Sequence, residues 1–125
     1  MTIVPIYAAV LAIAYLALSA SVIRLRQSRR ISIGVGSDSD LERAVRVHSN
    51  FAEYVPLALL LLFMAEMQGA SRIVLNILCI LLLIGRCSHA WGLSKSDLRF
   101  RTVGVVATFS VIGAVSLLLL RFAVK

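Results

Sequence analysis

Hydrophobic positions along this chain gather into four long runs divided by short polar breaks. The first, Ile3–Ile23, holds no charged residue, and the fourth, Val103–Leu120, holds none either. The second, Ala44–Met67, opens on a polar stretch, and the third, Ile73–Leu93, contains Arg86 and His89. A membrane-spanning helix needs about 20 mostly apolar residues. Each run meets that length, so the pattern predicts helices over about 3–23, 44–67, 73–93 and 103–122. The connections are short. The expected fold class is all-α integral membrane, a four-transmembrane-helix bundle forming a single domain over 1–125.

Composition agrees with the pattern. Of the 125 residues 60% are hydrophobic, against about 45–50% in soluble domains. Ala17-Leu18-Ser19-Ala20 has the look of a signal-peptide cleavage site. However, no basic segment precedes the first run, which is longer than the roughly 7–15 residues of a signal core. Arg24, Arg26, Arg29 and Arg30 follow it directly, so a retained helix is expected.

The net charge of +7 changes the picture by where it sits. Arg24, Arg26, Arg29, Arg30 and Arg43 lie between the first and second helices, and Lys95, Arg99 and Arg101 between the third and fourth. The other side carries only Arg72, Arg121, Lys125 and the amino terminus. The positive-inside rule then makes both basic loops cytoplasmic and both termini external. Such a basic face also meets anionic headgroups of membrane lipid. No nucleic-acid partner is expected, since neither a soluble domain nor an aromatic platform accompanies the charge.

The two cysteines, Cys79 and Cys87, fall on one helix about 12 Å apart at 1.5 Å per residue, too far to pair. Cys87-x-His89 is no metal-binding spacing, and no metal site is expected. Ser32–Asp40, with Gly34 and Gly36, reads as the one flexible loop, and either Asp40 or Ser39 suits the N-cap of the second helix. There is no internal repeat of the kind many transporters show.

The polar opening of the second helix, Leu41–Pro56, is the anomaly. Charge at the centre of a spanning helix costs about 2.5–3.5 kcal/mol, so residues there are expected to face a protein interior or a wet cavity. At about 100° per residue, Arg43, Arg46, Asn50, Glu53 and Tyr54 share an arc of roughly 100°, and His48 falls off it. On the third helix Arg86 and His89 share a face by their spacing. A plainer role is open to each residue. Arg43 and Arg46 suit snorkelling to headgroups. Glu53 suits an ion pair with Arg46 or Arg86, His48 suits packing, and Asn50 suits interhelical hydrogen bonding. Pro56 suits a local kink. None of these explains several arginines and one carboxylate on one stripe, whereas a zwitterionic ligand rich in carboxylates would.

The motif Arg43-x-x-Arg46-x-His48-x-Asn50-x-x-Glu53-x-x-Pro56 resembles the MAPEG family, the membrane-associated proteins of eicosanoid and glutathione metabolism. Arg24-Leu25-Arg26, Gly85-Arg86-x-x-His89 and Arg99-Phe100-Arg101-Thr102 agree with it, so the resemblance covers nearly the whole chain, nearest to small bacterial members. It implies a homotrimer in the bacterial cytoplasmic (inner) membrane, holding glutathione as co-substrate between subunits near the cytoplasmic face. Carried over, Arg46, Asn50, Glu53 and Tyr54 contact glutathione, with Arg24 and His89 nearby, while Arg43 and Arg86 play supporting roles. Arg101 lies by the sulfur, with Thr102 at the position of a neighbouring hydroxyl. The implied activity is attack of glutathione thiolate on a lipophilic small-molecule electrophile, or reduction of a lipid hydroperoxide. A guanidinium beside a thiol whose ordinary pKa is about 8.5 favours the nucleophilic thiolate.

Two departures stand out. Leu93 occupies a position where several members have tyrosine, and the following loop fits with one residue deleted. That leaves Arg99 as an alternative to Arg101, the better match. A non-catalytic, lipid-binding or scaffold member of the same family is a second reading. A small four-helix multidrug exporter is a remote third, since such proteins depend on an acidic residue in the first helix and Ile3–Ile23 has none.

Overall fold

The structure, a computed structural model, describes residues 2–124. Met1 and Lys125 lie outside them. The described residues form four α-helices and no strand: α1 (Val4–Arg29), α2 (Ser39–Met67), α3 (Arg72–Ser94) and α4 (Leu98–Ala123). All four are long and apolar enough to cross a membrane. The protein is an all-α integral membrane four-helix bundle.

Three helices outrun the apolar stretches that announced them. The first continues past Ile23 to Arg29, the second begins at Ser39 instead of near Ala44, and the fourth begins at Leu98 instead of Val103. Hydropathy marks only the part of a helix inside hydrocarbon, whereas the backbone stays helical until a cap stops it. For α2 that cap is Asp38, not Asp40 or Ser39. Asp38 is the last extended residue, with φ −85° and ψ 105°, and its carboxylate accepts the Leu41 N–H at 2.8 Å. Arg29 fixes the same carboxylate from the end of α1, at 3.0 Å. The segment that reads as a flexible loop is tied at its start. Arg26 donates from Nη1 to the Gly34 carbonyl at 2.8 Å and to those of Ile31 and Ser32 at 3.5 Å.

At the opposite end, α1 has no side-chain cap of its own. The Glu66 carboxylate, in the last turn of α2, takes the backbone N–H of Ile3 and, at 3.1 Å, that of Val4. An acidic group thus meets both the orphan donors and the positive dipole end of α1. Replacing Glu66 with alanine is expected to cost about 1–2 kcal/mol. Thermal unfolding in detergent measures this, and Glu66→Gln, which keeps an acceptor, should fall between the two.

The core follows one stripe of α2: Phe51, Val55, Ala58, Leu62 and Ala65 are buried. They pack with Leu11 of α1, Leu75, Leu78 and Leu82 of α3, and Val111 and Val115 of α4. Helix α2 touches all three others, whereas α1 and α4 share no contact among the described residues. The closest seam joins α3 to α4, where Gly85 and Gly104 meet backbone to backbone. Large apolar side chains such as Ile13, Ile73 and Leu117 remain exposed, as suits helices whose solvent is hydrocarbon.

Candidate functional site

Arg86 lies at the centre of the polar constellation, only 4% exposed. It stands one residue beyond Gly85, where the lack of a side chain lets α4 approach. Its Nη1 donates to the Asn50 side-chain oxygen at 2.8 Å and to the Asn50 carbonyl at 3.4 Å, and its Nη2 to the Gly104 carbonyl at 3.5 Å. Its Nε has no partner among the described residues. No carboxylate pairs with this guanidinium among them either, so α2, α3 and α4 converge on a buried cation held by neutral oxygens. His89, one turn further along α3, is equally buried and packs where Gly104 leaves room.

Towards the end that carries the two basic connections, a cleft of about 310 Å³ opens between α2 and the α3–α4 turn. Arg43, Arg46, Leu93 and Arg101 line it together with Glu42 and Asp97. Local structure explains how Arg101 arrives there. Helix α3 ends in a tight turn in which Ser96 adopts φ 58° and the Asp97 N–H returns to the Gly92 carbonyl at 2.7 Å. Asp97 then caps α4 by accepting the Arg99 N–H at 2.9 Å. Gly92 permits the approach, since a Cβ there would lie 2.8 Å from the Phe100 carbonyl carbon and 2.9 Å from the Asp97 oxygen.

The arginines of the cleft differ in what already holds them. Arg46 is engaged by Glu42 one turn back, at 3.1 Å from Nε and 3.0 Å from Nη2. Arg43 pairs with Asp40 at 2.5 Å. Arg101 is exposed and has no ion pair among the described residues. Arg99 is not part of the cleft wall, which separates it from Arg101. The Thr102 hydroxyl donates to the Leu98 carbonyl at 2.8 Å, within its own helix.

The remaining candidates point elsewhere. Tyr54 leans on Phe109 of α4, ring centroids 5.3 Å apart. Glu53 is exposed and meets neither Arg46 nor Arg86. Arg24 is exposed on α1, outside the cleft. His48 turns to α1, 3.0 Å from the Ser19 hydroxyl and stacked on Tyr15. Within one chain the structure therefore brings Arg46 and Arg101 to one cleft and Asn50 and His89 to the Arg86 centre. Arg24 and Glu53 stay apart from both, whereas Tyr54 lies close enough to Arg86 to interact with its charge. Sequence reasoning missed Glu42 as the partner of Arg46, although the four-residue spacing of opposite charges announces it. It also missed Gly92, for which no sequence signal exists.

The sequence matches the MAPEG family over residues 4–121. It is similar to the inner membrane protein YecN of Escherichia coli strain K12, with 38% identity over 104 residues, 83% of this chain and 79% of that protein. YecN of the E. coli O6:H1 strain matches to the same extent. With four membrane-spanning helices, a buried arginine at their junction and this match along nearly its whole length, the chain belongs to the MAPEG family.

Proposed function

We propose that this protein is an inner-membrane, glutathione-dependent transferase or peroxidase that works as a homotrimer. The observation that carries the reading is the cleft in which Arg46 and Arg101, the latter without an ion pair among the described residues, converge from different helices. Glutathione bears two carboxylates and one ammonium. The guanidinium forks of Arg46 and Arg43 match the carboxylates once a ligand displaces Glu42 and Asp40. Arg101, which pairs with no carboxylate among the described residues, is left to stabilise a thiolate. The sulfur then bonds to the electrophilic carbon, whose leaving group departs with the bonding pair. By the positive-inside rule the basic end faces the cytoplasm, where the reduced thiol pool lies.

Oligomerisation would supply what a single chain lacks. Glu53 is an exposed carboxylate within a spanning helix, a costly placement against lipid. A neighbouring subunit's face removes that cost and adds contacts for Tyr54 and Arg24 around the tripeptide, with Asn50 and the buried His89 behind them. A lipid-binding scaffold without turnover is the second reading, favoured by Leu93 in the cleft wall where a phenol would help hold the ligand.

Titration of the purified protein with glutathione, followed by thiolate absorbance, tests the proposal. Wild type is expected to bind saturably and ionise the thiol. Arg101→Ala should keep binding but lose the thiolate signal, and its conjugation rate should fall on the order of 10²-fold. Full activity in Arg101→Ala would remove that residue from the chemistry. Indifference of wild type to millimolar glutathione would leave the scaffold.

A further inference from the structure

Two carboxylates, Glu42 and Asp97, line the cleft beside its three arginines, and they are not equivalent. Asp97 serves α4 as its N-cap, accepting the Arg99 N–H at 2.9 Å, where the positive helix end already compensates its charge. Glu42 pairs with Arg46 and with no second cation among the described residues. That pair is exposed and uses one oxygen, since Nε at 3.1 Å and Nη2 at 3.0 Å both fall on Oε1. A guanidinium fork holds a carboxylate best when each N–H meets its own oxygen. A ligand carboxylate that meets Arg46 squarely therefore displaces Glu42.

Displacement leaves a charge to be answered. Glu42 is carried by the same helix as Arg46, so it stays in the cleft wall beside the anion that replaced it. With the second carboxylate of glutathione on Arg43 and its sulfur by Arg101, the cation left for Glu42 is the ligand's own ammonium. Arg43 shows the contrast. Its partner Asp40 is not in the cleft wall and lies 3.6 Å from Nη2 of Arg29, at the end of α1. When Arg43 turns to a ligand, Asp40 keeps a cation and calls for no ammonium.

On the reading that the cleft takes glutathione, on which this step depends, we propose that Glu42 is a specificity-determining residue. As the carboxylate of the γ-glutamyl end takes Arg46, Glu42 turns from Arg46 to the ammonium group next to that carboxylate. The cleft thus selects a zwitterionic amino-acid end over a bare carboxylate at Arg46, and accepts a bare carboxylate at Arg43.

The test is isothermal titration of the full-length protein in detergent with glutathione and with its analogue in which hydrogen replaces the ammonium group. Both peptides keep the thiol and both carboxylates. Their affinity ratio therefore reads the ammonium alone, whatever fraction of the protein is folded. Wild type is expected to bind glutathione about two- to fivefold more tightly than the analogue, the range of an exposed ion pair. Glu42→Gln should bring that ratio to one, weakening glutathione and tightening the analogue. Asp40→Asn should move both affinities together and keep the ratio. Equal affinities in wild type would overturn the proposal, as would a preference that survives Glu42→Gln. An equal loss for both peptides in a Glu42→Gln protein would overturn it too, showing a side chain that only steadies Arg46. Indifference of wild type and both variants to both peptides would overturn the glutathione reading itself, and the role of Glu42 with it.

Discussion

A Gly104→Ala protein is expected to lose about 2–4 kcal/mol of stability, the upper part of the range for overpacking a core. The added Cβ would stand 2.6 Å from the Gly85 carbonyl oxygen, 2.6 Å from the His89 backbone nitrogen and 2.6 Å from the His89 Cβ. None of these atoms is the end of a flexible side chain, so the α3–α4 seam must part along its length. The damage should reach the polar centre as well, since the Gly104 carbonyl accepts from Arg86 and, at 2.8 Å, from the Thr108 hydroxyl. Gly113→Ala on the same helix is the control. Nothing lies within 4 Å of a Cβ there, and the change should be neutral or slightly stabilising through helix propensity. Equal unfolding temperatures for wild type and Gly104→Ala in the same detergent would mean that the seam is looser than these distances require.

The second large effect is expected at Asn50. Its side-chain oxygen makes the shortest bond to the buried Arg86 guanidinium. Asn50→Leu should therefore cost about 1.5–3 kcal/mol, the range for losing a hydrogen bond to a buried charged group. Most of that cost is the charge left behind, not the bond itself. Asn50→Asp, which keeps an acceptor and adds a counter-charge, should be far milder. The double variant Asn50→Leu/Arg86→Met should recover much of the lost stability, because an apolar pair needs no solvation. A double-mutant cycle by unfolding measures this coupling. Additive single effects would show that Arg86 is held by something other than Asn50.

These effects also mark how far the sequence alone could be read. The four spans, the basic connections and the shared face of Arg86 and His89 follow from period and charge, and the structure holds them as described. The polar stripe of α2 was legible as an arc but not as a destination. A helix that touches three neighbours divides an arc of roughly 100° among different surroundings. Asn50 thus turns to α3, Tyr54 to α4, and Glu53 to the outside. Helix ends were misjudged for a different reason: capping by Asp38 and Asp97 is set by local backbone geometry, to which hydropathy is blind. The Glu66 contact with Ile3 spans 63 positions, and no local pattern encodes a bond of that reach.

That long bond bears on how the protein is made. The chain emerges amino end first, so α1 enters the bilayer before α2, α3 and α4. With no contact to α4, its partners are α2 and, less extensively, α3. The carboxylate that settles its leading end belongs to the last turn of α2, which arrives only after that second helix has crossed completely. Closure of the Glu66 clasp thus requires a finished hairpin of α1 and α2. A chain stalled earlier in synthesis carries an α1 whose first turn is still unfastened.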